Sequence, residues 1–425
     1  MTKTIQMTTL DNGLRVITDH VEGIDSVAAG IWVGVGTRHE DLIHNGCAHM
    51  VEHMLFKGTK DRSALEIAEV IENVGGNMNA YTSREVTSYH AHVLKEDAPL
   101  AVDVLADMYQ NYTMPEDEVE RERHVILQEI GMVNDTPDDL IFDEYQETAY
   151  PNQSIGAPIL GRAKYIQAMS RPTLQDYVSR FYTPARTVIS AAGGVDHDKF
   201  VAQVEAQFVR LPTDIHHGKI SADYRGGESR SEKQLEQAHV ILGFQGVSRM
   251  DDDFHAAQAL SSILGGGMSS RLFQEVREKR GLVYSIFSFH SAYQDDGQFG
   301  IYAGTGPERL KEVMPVICDE IKKATEHVTE AELARAKAQM KASLLMGRES
   351  MMNRADRQAK HLLTRDEVID MAAIITRIES LNIAALQSVA ARIFSSKLTM
   401  ASLGPLEQLE SYDQVRGRLS QRMAA

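Results

Sequence analysis

The feature that most constrains this chain is that its order of structural signals occurs twice. In the first half "SVAAGIWVGVGT" reads as a buried strand, and Gly46 punctuates the chain before an apolar-periodic run from Cys47 to about Lys57 that reads as a helix. A second helix, "SALEIAEVIENVGG", is capped by Ser63 and stopped at Gly75-Gly76. "NMNAYTSREVTSYHAHVL" follows as strand, turn and strand, and then come the helices "KEDAPLAVDVLADMYQ" and "MPEDEVERERHVILQEIGMVND", the latter with Pro115 and a run of acids in its first turn. After residue 233 the same plan returns: strand "QAHVILGFQG", helix "DDFHAAQALSSILGG", helix "SSRLFQEVREKR", paired strands in "LVYSIFSFHSAYQDDGQFGIYAGT", and two long helices, "GPERLKEVMPVICDEIKKA" and "TEAELARAKAQMKASLLMGRE". Two copies of one α+β domain are expected, each an antiparallel-rich sheet packed with helices, spanning 1–212 and 233–425. The polar, Gly-bearing stretch between them, 213–232, reads as a linker. At the start of the first copy, "TIQMTTL" and "LRVITDH" flank Asp11-Asn12-Gly13 and read as a hairpin, because Asn-Gly supplies the positive φ angles of a tight turn.

The copies differ in one helix. In "HNGCAHMVEHMLFKGT" two histidines, His49 and His53, stand four residues apart and flank Glu52, among Cys47, Ala48, Met50, Val51, Met54 and Leu55. Residues i and i+4 project from one helix face, so both imidazoles can reach one ion. Glu52 is offset from them, as suits a carboxylate that touches a metal-bound water without ligating the metal. H-x-x-E-H is the inverted form of the zincin motif. The alternative is a hydrogen-bonded structural cluster; against it, two imidazoles and a carboxylate buried without partners would cost several kcal/mol. In one register the second copy places Gln258, Ser261 and Ser262 where the first has His49, Glu52 and His53, so only the first keeps the chemistry. A catalytic zinc needs a third protein ligand. "EVERERHVILQEIGMV" offers Glu122 and Glu129, seven apart on one helix face, with Glu129 among Ile126, Leu127 and Ile130 and Glu122 able to orient a ligating histidine. Solvated helix acids are the alternative there.

Acidic residues outnumber basic ones by 60 to 44, a formal net charge of −16, which argues against nucleic acid or anionic membrane as primary partners and favours basic peptides. The two cysteines, Cys47 and Cys318, fit no disulfide or zinc-finger spacing and read as reduced thiols. No apolar run approaches the roughly 18 residues of a membrane span, and "MTKTIQMTTLDNGLRVITDH" has neither an apolar core like a signal peptide nor an Arg-rich transit character. A cytoplasmic protein is expected.

"GCAHMVEHMLFKGT", followed 76 positions after His53 by the glutamate of "ERHVILQEI", resembles the pitrilysin/insulinase metallopeptidases, the inverzincins, and within them the mitochondrial processing peptidase β subunit and its bacterial relatives. The resemblance continues through "GGNMNAYTSREVTSYH" and "GGGMSSRLFQEVREKRGLVYSI" and covers nearly the whole chain. It implies His49, His53 and Glu129 as ligands of one Zn²⁺ per chain, Glu52 as general base, and Glu122 in support. It implies that Asn79, Ala80 and Tyr81 form an edge to which an extended substrate adds by main-chain hydrogen bonds. Arg277 and Tyr284 match a pair that reaches the active site from the other half of a clamshell; read without the family they are an exposed helix arginine and a core tyrosine. Asp139 and Asp143, one helical turn apart, match positions that recognise an arginine near the cleaved bond; Asp139 stands where the family has glutamate, and a solvated charged face is the alternative. Family architecture closes four such domains around a chamber, so a two-domain chain implies a homodimer in which Arg277 and Tyr284 serve the partner's site. The implied activity is zinc-dependent endoproteolysis of unfolded, presequence-like, basic peptides. The family also contains non-catalytic peptide-binding or structural members, and the complete set at 49, 52, 53 and 129 speaks against that reading.

Overall fold

A computed structural model describes residues 4–213 and 220–420. The Asn12-Gly13 turn closes β1 (Ile5–Thr9) onto β2 (Arg15–His20), with Ile5 opposite Asp19, and Gly13 takes φ of 87°. β3 (Ser26–Val33), the hairpin β4 (Asn77–Thr82) and β5 (Thr87–Leu94), and β6 (Thr187–Gly193) complete a six-stranded sheet in the order β1-β2-β6-β3-β5-β4. Only β2 and β6 run parallel. β3 and β6 are apolar along nearly their whole length because both faces of the sheet centre are covered. Helices α1 (Cys47–Leu55), α2 (Ala64–Glu72) and α3 (Ala98–Asn111) lie on one side, and their buried residues join β3 and β5 in the main core. Ser63 caps α2 in a reciprocal box with Glu66, as its sequence position predicts. α4 (Glu116–Asn134) follows, with Val119, Glu122 and Ile126 buried along one stripe.

The second sheet comprises β7 (Gly227–Glu232), β8 (Ala238–Gln245), β9 (Ser285–Ala292), β10 (Gly297–Thr305) and β11 (Thr399–Gly404), ordered β7-β11-β8-β10-β9. That is the order β2-β6-β3-β5-β4 of the first sheet, with the parallel pair in the same place. The repeat read from the element order is therefore a repeat of topology. Its further helices are α5 (Pro137–Ala149), α6 (Phe254–Gly265), α7 (Leu310–Glu326) and α8 (Glu330–Gly347), and beyond them α9 (Met351–Arg365) follows in the chain.

Three expectations are corrected. The stretch 213–232 is not all linker: "GESRSE" is β7, hydrogen-bonded in parallel to β11, although its alternating polar residues carry no apolar signal; residues 214–219 lie outside the described part. The compact units do not follow the cut at 212 and 233. One unit is Met1–Gly131, Ala157–Ile220 and Leu345–Ile369; the other is Met132–Gly156, Ser221–Leu344 and Asp370–Ala425. α9, late in the chain, sets Ala355, Ala359 and Leu362 against Ile17, Trp32 and Val188 of the first sheet, while α5, from the first half, sets Ile141 and Tyr145 against Ile241 and Ala401 of the second. Apolar periodicity shows that a helix must bury a face and is silent on which sheet receives it. Finally, the run "FQEVRE", Phe273–Glu278, is a π-helical turn rather than a regular α-helix. Among the described residues no helix is long and apolar enough to cross a membrane.

Candidate metal centre

Along α1 every residue is buried except His49, Glu52 and His53. Burying Met50, Val51, Met54 and Leu55 contributes about 1.5–3 kcal/mol for each large side chain, enough to hold the helix down although its polar face bears atoms costing about 1–3 kcal/mol each when left unpartnered. The helix starts at Gly46, φ 96°, with no side-chain cap of its own. Glu40 supplies one from upstream: its carboxylate accepts the backbone N–H groups of Gly46 at 3.0 Å and Ala48 at 2.6 Å, and the Asn45 amide at 3.1 Å. A negative group at a helix N-terminus is favourable. Burial nevertheless pushes the Glu40 carboxyl up to about 7, against those three hydrogen bonds.

Opposite the polar face, Glu122 and Glu129 occupy the stripe of α4 that also carries Val119 and Ile126. His53 Nδ1 donates to Glu122 Oε2 at 2.9 Å, and Lys57 Nζ holds the other carboxylate oxygen at 2.7 Å. With Nδ1 engaged, His53 Nε2 is the free ligand atom, 4.0 Å from Glu129 Oε1. His49 Nε2 lies 3.9 Å from Glu129 Oε2. The rings of His49 and His53 are 4.6 Å apart and steeply inclined. These separations are too long for direct hydrogen bonds and short enough for two donors to share an ion with bonds of about 2.0–2.2 Å each. Donor atoms of His49, His53 and Glu129 all lie within 4.8 Å of one another. His49 Nδ1, Glu52 Oε2 and Glu129 Oε2 are buried with no hydrogen-bond partner. Native proteins rarely leave such atoms unmatched without a reason. Two imidazoles, a carboxylate, and oxygen atoms left without protein partners fit a divalent ion of borderline softness.

The electrostatics agree. Burial, with the His53 ring adding to it, pushes the His49 imidazole down to about 4, leaving it neutral and able to ligate at pH 7. Burial also draws His53 down, but the Glu122 hydrogen bond and the charges of Glu129, Glu122 and Glu52 outweigh it and the imidazole ends raised. Glu122 is lowered despite its burial, because His53 and Lys57 both donate to it. Burial raises Glu52, with Thr82 and His53 pulling the other way. A carboxyl raised toward neutrality beside a ligand cluster is poised to take and return a proton.

Other residues singled out by sequence fall into two groups. Asn79, Ala80 and Tyr81 are on β4, which among the described residues pairs only with β5 and forms the edge of the sheet. Met78 and Ala80 pack toward the core that contains α1, while Tyr81 turns to the opposite face. The Ala80 N–H is taken by the Asn79 side chain at 2.8 Å. Asp139, Asp143, Arg277 and Tyr284 belong to the second unit. Asp139 is exposed on the first turn of α5, and Asp143 is half-buried one turn on. Arg277 ends exposed on the π-helical turn with its guanidinium over the Phe273 ring at 4.7 Å. Tyr284 is 66% exposed, so the core-tyrosine reading is wrong. Glu40 and Lys57 escaped the sequence reading. An acid six residues before the helix-opening glycine was the available signal for the first.

The second unit shows the same helix without the chemistry. The burial pattern of α1 recurs along α6 at an offset of 209 residues, setting Gln258, Ser261 and Ser262 at the places of His49, Glu52 and His53. Buried Val119 and Glu122 of α4 correspond to buried Leu333 and Ala336 of α8, an offset of 214 that puts Ser343 where Glu129 stands. Ser262 donates to Gln339 at 2.7 Å and Ser288 to the Ser261 carbonyl at 2.7 Å, so this face is partly closed by hydrogen bonds.

A duplicated α+β fold in which, among the described residues, one copy alone brings two histidines and a carboxylate together defines the class: a duplicated protein with one group of side chains able to hold a metal ion. The chain belongs to the insulinase family, peptidase family M16. The family model described as insulinase matches residues 15–163, and that of the peptidase M16 inactive domain matches 168–340. An uncharacterized zinc protease of Streptomyces coelicolor is 38% identical, over 96% of this chain and 91% of its own length. The Bacillus subtilis uncharacterized zinc protease YmxG is 37% identical, over 96% of this chain and 100% of its own. Among solved structures a protease from Helicobacter pylori superposes with a TM-score of 0.89 at 25% identity, covering 94% of this chain and 99% of that one.

Proposed function

We propose that the protein is a zinc-dependent metalloendopeptidase acting on unfolded, basic peptides. The observation that carries the reading is the convergence of His49, His53 and Glu129 while Glu122 holds the second nitrogen of His53. His49, His53 and Glu129 would hold one Zn²⁺, the metal after which the related zinc proteases are named. When bound, zinc supplies Lewis acidity, polarising a scissile carbonyl and lowering the pKa of a water toward about 7. Glu52 takes the proton of the attacking water and passes it to the leaving amine, which its burial-raised carboxyl suits. Glu122, backed by Lys57, fixes the His53 tautomer that presents Nε2. The open edge of β4 at Asn79, Ala80 and Tyr81 receives the peptide as an added strand.

The rest of the reading has coarser support. The net charge of −16 favours basic substrates, and Asp139 and Asp143 are the acids for a basic side chain near the cleaved bond. Arg277 and Tyr284, both exposed, act on the active site of a partner protomer in a homodimer that closes a chamber. Two buried free thiols, Cys47 and Cys318, suit a reducing cytoplasm.

The test is cleavage of a basic presequence-like peptide by wild type and by Glu52→Gln. The variant should keep its zinc and lose about 10²–10⁴-fold in kcat. Retained turnover removes Glu52 from the role of base, and a wild type without metal favours a non-catalytic peptide-binding relative.

A further inference from the structure

β4 poses a mechanical problem that the metal centre does not solve. An edge strand is held by one neighbour, so its open side has no second ladder to fix its tilt. Along β4 successive side chains alternate faces. Met78 and Ala80 sit with the core beneath α1, while Tyr81 faces α9 on the other side of the sheet. There the Tyr81 hydroxyl donates to Asp356 Oδ1 at 2.5 Å. The same oxygen accepts the Trp32 indole N–H from β3 at 3.0 Å, and Lys360 Nζ, one turn along α9, pairs with Oδ2 at 2.9 Å. Lys360 also lies over the Tyr81 ring at 4.9 Å. Asp356 thus joins the central strand β3, the edge strand β4 and the helix with charge-assisted hydrogen bonds, the stronger kind. Burial and the Asp356 charge push the Tyr81 hydroxyl up, so it stays a donor at any working pH.

The corresponding place in the second unit is built differently. On β9, its edge strand, Phe287 stacks on Phe142 of α5 at 6.3 Å, and Phe142 on Tyr302 at 5.8 Å. An aromatic stack supports a strand without fixing it at one polar atom.

We propose that Asp356 is a positioning residue for peptide binding: by tethering Tyr81 it fixes the edge of β4 to which the substrate strand adds. This deepens the hydrolase reading and rests on it. An added strand takes its affinity from main-chain hydrogen bonds to the edge it joins, so an edge free to shift binds the peptide less well.

The experiment compares wild type, Asp356→Ala, Asp356→Asn, Tyr81→Phe and the Ala/Phe double variant on a quenched fluorescent basic peptide, alongside zinc content and melting temperature. Asp356→Ala should raise KM about tenfold, since it releases the edge that binds the peptide main chain, with kcat within about twofold and zinc unchanged. Asp356→Asn, which keeps an acceptor, should restore most of the loss. The double variant should be no worse than Asp356→Ala alone, because both changes cut one linkage. An unchanged KM in Asp356→Ala, or multiplicative effects in the double variant, overturns the proposal. A parallel arm measures the Kd of a labelled peptide for Glu52→Gln protein with and without Asp356→Asn and Tyr81→Phe, variants chosen to survive if Asp356→Ala fails to fold. Binding that weakens in this arm while wild type cleaves nothing overturns the hydrolase reading and keeps the positioning role; binding that never changes overturns the positioning role alone.

Discussion

The two units share a strand order, a parallel pair in the same position, and a helix whose burial pattern matches residue for residue, yet among the described residues only the first brings three metal-ligating side chains together. In α1 the unburied face carries two imidazoles and a carboxylate; in α6 it carries a glutamine and two serines. On the facing helices, Glu122 and Glu129 stand against Ala336 and Ser343. The comparison teaches that the fold does not depend on the site. The apolar residues of α1 anchor the helix, while the polar face it shares with α4 leaves His49 Nδ1, Glu52 Oε2 and Glu129 Oε2 unmatched, a cost that Gln258, Ser261, Ser262 and Ser343 do not carry at the matching places.

The comparison breaks most sharply at Glu122. Glu122→Gln, moving the first unit toward the second, should weaken metal binding about 10–100-fold, the usual effect of losing the group that orients a ligating histidine. A metal-affinity titration checks it, and an unchanged affinity would make Glu122 a structural acid only.

The opposite graft tests whether the helix motif suffices. Gln258→His, Ser261→Glu and Ser262→His together should bring no second metal, because Ala336 and Ser343 offer no carboxylate. The variant should instead lose about 1–3 kcal/mol of stability, read as a lowered melting temperature at unaltered metal content.

The last prediction concerns pH. Glu40 has a folded-state pKa raised from 4.5 to about 7. For a carboxyl raised by burial, stability is full below the unfolded value and declines as pH climbs toward the folded one. Apo-protein melting temperatures should therefore fall from about pH 4.5 to 7, and Glu40→Gln should flatten that slope. A slope left as steep in the variant would assign it to other groups.

Much of this was legible in the residues. His49, Glu52 and His53 stood out because burial on a helix is periodic and they are the polar exceptions to it; Glu129 stood out because it interrupts an apolar stripe. The repeat was legible because strand and helix signals alternate at fixed order. β7 was not, since "GESRSE" owes its place to parallel pairing with β11 rather than to any apolar face. The exchange of α5 and α9 was not, because the choice of sheet depends on tertiary packing. Lys57 and Asp356 act through long-range polar contacts, which leave no period to read.

The central claim is one metal centre per chain, in the first unit alone. Metal stoichiometry by plasma mass spectrometry of wild type, Glu52→Gln and His53→Ala tests it most directly. About one zinc per chain is expected in the first two and close to none in the third. A wild type without metal, a second tightly held ion, or a full complement in His53→Ala would contradict it.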